Sequence, residues 1–148
     1  MNQNDPPTEH ILACLSSSPS NAKIVRTAAT MAKAFGGTFT ALYVRTPDSD
    51  QMGKEDRRRL QQHIRMAEQA GADISTIYGD DIPQQIAEFA RISGITKIVL
   101  GRSSVRRRHF WSGPSLTEKL TMTAPNLDIY IIPDASAENG YGSGRKLF

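Results

Sequence analysis

Apolar and polar positions along this chain switch between two rhythms, and the switching predicts the elements. Residues 10–16 are a short apolar run ending in serine, as in a buried strand. From 21 to 35, Ile24, Ala28, Met31, Ala32 and Phe35 recur at helical spacing, with Ser20 placed to cap the start and Gly36-Gly37 the end. Residues 38–44 are rich in β-branched and aromatic types and predict a second strand. A loop containing Pro47 covers 46–53. The next helix spans 54–70, with Leu60, Ile64 and Ala67 on its apolar stripe and Gly71 closing it. A third strand is predicted over 73–78. Asp81 then caps a helix running through Ser93, with Pro83 tolerated in the first turn and Ile82, Ile86, Phe89 and Ala90 facing inward. Residues 96–100 give a fourth strand, whose Ile98-Val99-Leu100 is a continuous buried run. After a loop over 101–113, Pro114 or Ser115 opens a helix to Thr123, with Ser115 and Glu118 spaced as a capping box. Residues 127–132 make the last strand.

Strands alternating with helices predict an α/β fold, a parallel sheet with helices on both faces and right-handed crossovers. Ligands of such folds bind beyond the carboxyl ends of strands, where the strand order reverses. With the order 3-2-1-4-5, that crevice lies between strands one and four. The loops over 16–20 and 101–113 would form it.

At 148 residues, with 39% hydrophobic and 22% charged positions, the chain has room for one globular core. No apolar run approaches the roughly 20 residues of a membrane span. No signal peptide pattern is visible in the polar residues 1–7, which are expected to be a disordered extension. Residues 8–133 are expected to form the ligand-binding domain, and the small polar stretch 134–148 a flexible linker or tail. Cys14 is the lone cysteine, which fits a reducing cytosol and a buried packing role. His10, His63 and His109 are too scattered for zinc, and His10 and His63 are expected at the surface.

The net charge of +3 is concentrated in two runs. Arg57, Arg58 and Arg59 stand beside Glu55 and Asp56, with Glu55 and Arg59 at i,i+4, and read as a solvated helix face. Arg102, Arg106, Arg107 and Arg108 lie in the loop after the fourth strand, where arginines can hold phosphate bidentately. Phe110 and Trp111 in the same basic loop suggest a nucleic-acid patch, but an anchoring contact for a long loop is the preferred reading.

The candidate chemistry rests on two short motifs. Ser16-Ser17-Ser18 closes the first strand, and Pro19-Ser20-Asn21 leads into a helix. Hydroxyls and free N–H groups at a helix N-terminus can cradle phosphate, although a serine triplet can also simply cap and turn. Phe39-Thr40-Ala41-Leu42-Tyr43 begins after a gap of twenty residues from Ser18. Tyr43 offers a flat ring to a purine. Phe39 and Ala41 share its strand face, and all three could equally be core packing. Thr40 either lines the pocket or points into the opposite helix layer.

Ser-x-Ser, twenty residues, then Phe-Thr-Ala-x-Tyr resembles the universal-stress-protein-like domain of KdpD-type potassium sensor kinases, in the branch that binds cyclic di-AMP. The resemblance covers about residues 8–133. It implies a five-stranded parallel sheet of order 3-2-1-4-5 and a sensory, non-catalytic domain. Ser16 and Ser18 would contact phosphate or ribose, and Phe39, Thr40, Ala41 and Tyr43 would shape an adenine pocket. Gly101, Arg102, Ser103 and Ser104 would meet the second side of the dinucleotide. Clamping of phosphate by Arg106, Arg107 and Arg108 is an electrostatic inference added to the resemblance. The implied parent is a membrane-anchored histidine kinase controlling potassium uptake, with this domain in the cytoplasm. Its partners would be a cyclic dinucleotide and the parent's other domains, with no cofactor, metal, nucleic acid or membrane contact of its own. The last strand, with Pro133 just after it, is compatible with a homodimer or with an open edge.

ATP-binding universal stress proteins have Gly-x-x-Gly, nine residues, then Gly-Ser or Gly-Thr after the fourth strand. Here Gly101 and Ser115 align, but Ser104 and Pro114 occupy the other glycine positions, and Ser16 stands where an Asp is usual. ATP is therefore the alternative ligand. A protein-interaction module without a small ligand is the third reading. An ATP pyrophosphatase of related fold would need Ser-Gly-Gly-x-Asp-Ser after strand one, and this chain lacks both glycines and the Asp.

Overall fold

The fold is seen in a computed structural model, which describes residues 8–102 and 114–133. The elements are β1 (His10–Cys14), α1 (Asn21–Phe35), β2 (Thr38–Arg45), a short 3-10 turn (Ser49–Gln51), α2 (Lys54–Gln69), β3 (Asp73–Tyr78), α3 (Ile82–Ile92), β4 (Lys97–Gly101), α4 (Leu116–Thr123) and β5 (Asp128–Ile132). Every expected strand and helix is present. The extension over 1–7, most of the basic loop and the tail over 134–148 lie outside the described residues.

All strand pairs are parallel, in the order β3-β2-β1-β4-β5. β1 is therefore central, with β2 on one side and β4 on the other. Period-2 alternation divides the side chains between two layers. Ile11, Ala13, Phe39, Ala41 and Val99 pack with Ile24, Val25 and Ala28 of α1 and Leu60 and Ala67 of α2. Leu12, Leu42, Val44, Ile98 and Leu100 pack with Ile86, Ala87 and Ala90 of α3 and Leu116 and Leu120 of α4. β4 is buried along its whole length, as its unbroken apolar run requires.

The helix ends follow local chemistry. Asp81 caps α3 by accepting from the Gln84 N–H, and Ser115 with Glu118 forms a complete capping box on α4. Gly36 stops α1 at φ 64°, a left-handed position suited to glycine. Some side-chain expectations change. Phe35, on the apolar stripe at the end of α1, is 50% exposed. Ile82 is 40% exposed rather than inward. Sitting in the first turn of α3, it is left outside the layer that Ile86 and Ala90 complete. On α2 the ion pairs are Glu55–Arg58 and Asp56–Arg59, both i,i+3, in place of Glu55–Arg59.

A polar cluster ties the amino-end side of the sheet. Lys97 on β4 lies 2.8 Å from Asp128 and 3.3 Å from Glu9, with its ammonium over the Phe35 ring at 4.8 Å. The Thr96 hydroxyl also donates to Glu9 at 2.6 Å. That hydrogen bond, helped by Lys97, holds the Glu9 carboxyl below its ordinary value of 4.5. A carboxyl whose folded pKa is lowered contributes stability above its unfolded pKa and loses it as pH falls through the folded one. Acid unfolding followed by circular dichroism should therefore have a shallower pH dependence below about 4.5 in Glu9→Gln than in the parent chain. Equal slopes would remove Glu9 from the acid response.

Candidate functional site: a polar notch where the sheet order reverses

β2 and β4 flank β1 on opposite sides, so the chain leaving Cys14 meets the point where the strand order reverses. Leu15 adds one more rung to β2, donating its N–H to the Leu42 carbonyl at 2.7 Å. Beyond it the backbone has no strand partner and needs side chains instead.

Asn21 supplies them. It opens α1, is only 5% exposed, and has both a donor and an acceptor to give. Its Oδ1 accepts from the Ser16 N–H at 3.1 Å, and its Nδ2 donates to the Cys14 carbonyl at 2.8 Å. Its own N–H donates to the Ser18 carbonyl at 2.9 Å. Ser18 N–H donates to the Ser16 hydroxyl at 3.2 Å, and the Ser18 and Ser20 hydroxyls lie 2.9 Å apart.

Two residues of α2 complete the loop. His63 Nδ1 lies 2.7 Å from the Ser16 carbonyl. Arg59 donates to the Ser17 carbonyl at 2.9 Å and to Asp56 at 3.0 Å. His63 is therefore buried, at 3% exposure, and not at the surface. It lies three residues after Leu60 and four before Ala67, on the same buried face of α2. His10 is half-buried and bonds Thr38.

The loop and the end of β4 enclose a notch lined by Cys14, Ser16, Ser18, Ser20, Asn21 and Ile24 on one side and Val99, Leu100 and Gly101 on the other. The fold thus brings Ser16, Ser18 and Gly101 together. Its enclosed part is about 20 Å³, enough for one water, so the described residues form a polar notch and not a closed purine pocket. Ser20 and Asn21, at the N-terminus of α1, are part of its lining. Ser20 makes no side-chain cap bond to the helix, and no acid stands in the first turn, so nothing carried by that turn opposes an anion. Arg102 follows Gly101 and is exposed. Ser103, Ser104, Arg106, Arg107 and Arg108 lie outside the described residues.

The second motif divides. Phe39 pairs in register with Ile11 and Ala41 with Ala13; both are buried in the α1–α2 layer. Five residues of chain, about 16 Å of strand, separate Ile11 from Ser16. Phe39 therefore sits far from the notch and acts as core, as does Ala41. Thr40, paired with Leu12, faces the α3–α4 side. Tyr43 alone approaches the site, half-buried one step beyond the Leu42–Cys14 pair on the α1–α2 face. A larger groove of about 510 Å³ lies elsewhere, lined by Lys33, Gly37, Phe39, Gly71 and Asp73 near the amino end of β2. It contains none of the serines or glycine of the reversal point, and the smaller notch carries the candidate chemistry.

Although Cys14 lines the notch and is partly exposed, burial pushes its thiol up to about 12, which leaves it protonated at neutral pH. Asn21, Arg59 and His63 were not anticipated from the sequence as site residues. An asparagine at a helix start just after a serine turn was the available signal for the first.

Residues 7–125 match the Universal stress protein family. The chain belongs to that family. The sensor protein KdpD of Clostridium acetobutylicum is 36% identical over 132 residues, covering 87% of this chain and 14% of that protein. The sensor protein KdpD of Escherichia coli is 30% identical over 122 residues, covering 82% of this chain and 13% of that protein. This universal stress protein chain thus spans about one seventh of the length of these two relatives. Among solved structures, a universal stress protein in complex with cAMP aligns at TM-score 0.64 and 14% identity, covering 88% of this chain and 100% of that one. The universal stress protein from Archaeoglobus fulgidus in complex with dAMP aligns at TM-score 0.54 and 19% identity, covering 85% and 98%. These two likenesses establish the fold.

The Asn21 clip gives a direct test. Asn21→Ala leaves the Ser16 N–H and the Cys14 carbonyl without their partners and should cost about 2–3 kcal/mol. Denaturant unfolding would read it, and a loss below about 0.5 kcal/mol would mean that water replaces both bonds.

Proposed function

We propose that this domain is a sensory nucleotide-binding module of a KdpD-type sensor kinase and that its ligand is cyclic di-AMP. The observation that carries the reading is the notch itself, where the two serines of the Ser-x-Ser motif meet Gly101 over the uncapped start of α1. Hydroxyls, backbone N–H groups and a helix N-terminus suit a phosphate. Tyr43, half-buried toward the carboxyl end of β2, would flank a base, while Phe39 and Ala41 support that strand from the core. Arg102, and the Ser103, Ser104 and Arg106–Arg108 run beyond it, would meet the outer part of the ligand. The likeness to two KdpD proteins supports the parent, a membrane-anchored histidine kinase controlling potassium uptake. The cAMP and dAMP complexes of fold relatives support an adenine nucleotide in general.

The domain would sense and not catalyse. Among the described residues lining the notch there is no carboxylate or imidazole to act as a base, and the Cys14 thiol is held protonated. Among the described residues no helix is long and apolar enough to cross a membrane, so any anchor would belong to other parts of the parent. ATP is the second reading, favoured by the fold and opposed by Ser104 and Pro114 at two of the ATP motif's glycine positions.

Isothermal titration calorimetry with cyclic di-AMP, cyclic di-GMP and ATP tests it. Saturable heat with cyclic di-AMP alone is expected, and Ser16→Ala combined with Ser18→Ala should weaken it at least about tenfold. Binding of ATP without cyclic di-AMP would make this an ordinary nucleotide-binding stress protein. Silence with all three would leave a protein-interaction module.

A further inference from the structure

We propose that Arg59 and His63 are positioning residues of the ligand loop. From α2 they hold the Ser16 and Ser17 carbonyls away from the notch, so that the loop presents donors to an anion. The proposal rests on the reading of the notch as a phosphate site.

In a trans peptide the N–H of one residue points opposite to the carbonyl of the residue before it. The Ser16 carbonyl is bound to His63 Nδ1 at 2.7 Å, which directs the Ser17 N–H away from α2. The Ser17 carbonyl is bound to Arg59 at 2.9 Å, which directs the Ser18 N–H away from it in turn. That N–H donates to the Ser16 hydroxyl, taking one of its two acceptor positions and leaving the hydroxyl proton able to turn toward a ligand oxygen. Carbonyl oxygens turned into the notch would repel the same ligand. The flanking Cys14 and Ser18 carbonyls are already held by Asn21, so α1 and α2 together retain four carbonyls of the segment.

Direct ligand contact does not explain either residue as well. His63 is 3% exposed, so a ligand in the notch has little of it to touch. The charge of Arg59 is already paired with Asp56 at 3.0 Å, and its second bond goes to a carbonyl 42 residues earlier. The arginine run on α2 is therefore not merely a solvated face: one of its three members reaches the ligand loop, while Arg58 pairs with Glu55 and Arg57 donates to the Met52 carbonyl.

The test uses the whole 148-residue chain with His63→Leu, His63→Asn and Arg59→Met. Asparagine keeps an N–H donor near the position of histidine Nδ1, and leucine fills the space without one. Two quantities are measured: amide hydrogen exchange over residues 15–21 without ligand, and affinity for cyclic di-AMP. Exchange in that segment should rise roughly tenfold in His63→Leu and Arg59→Met, with the sheet core unchanged, and affinity should fall by a similar factor. His63→Asn should restore both. Unchanged exchange in the segment, a rise spread evenly over the chain, or an asparagine variant as impaired as leucine would each overturn the proposal. If the unaltered chain binds no nucleotide, the ligand reading has failed, and the exchange results alone decide whether α2 holds the loop.

Discussion

The central position of β1 is the constraint on which the site depends. Its neighbours β2 and β4 lie on opposite sides, and the helices that lead to them cover opposite faces. Where β1 ends, the backbone emerges between two diverging layers with no further strand to pair with. Its polar groups lie too close to the core to be left to solvent alone. Asn21, His63 and Arg59 meet that need, and in doing so they fix the shape of the notch.

Packing and polar satisfaction are separated along the strands. Ile11, Leu12, Ala13, Ile98, Val99 and Leu100 are fully buried and carry the hydrophobic contribution. The two ends of the sheet carry the polar work. At the amino end, Glu9, Lys97 and Asp128 cross-link neighbouring strands by charge. At the carboxyl end, neutral hydroxyls, amides and carbonyls form the loop, and Arg59, which bonds its Ser17 carbonyl, is paired with Asp56. The loop thus presents oriented dipoles, with no carboxylate among the described residues that line the notch.

Much of the fold was legible because local rules and the global topology agree. The helix boundaries of α1, α3 and α4 follow from Gly36, Asp81 and the Ser115–Glu118 box, and each strand was visible as a β-branched or apolar run. The site was legible only in part. Ser16, Ser18 and Gly101 share one notch, as the loop positions predicted. The Phe39–Tyr43 motif, continuous in sequence, is split by the pleat and by its length: Thr40 turns to one layer, Phe39 and Ala41 to the core of the other, and only Tyr43 nears the rim. A histidine among polar neighbours on α2 reads as exposed, because the sequence pattern does not show which carbonyl lies across from it.

The sequence by itself determined the alternation of strands and helices, the caps that end them and the serines and glycine that follow β1 and end β4. These are set by backbone sterics and short-range hydrogen bonding, which act within a few residues. Only the tertiary structure decided that α2 reaches back 42 and 47 residues to hold that loop. It alone made His63 a buried partner of Ser16 and Phe39 a core residue. Those outcomes depend on which elements the sheet order places side by side, a long-range consequence of burying both faces of β1 at once.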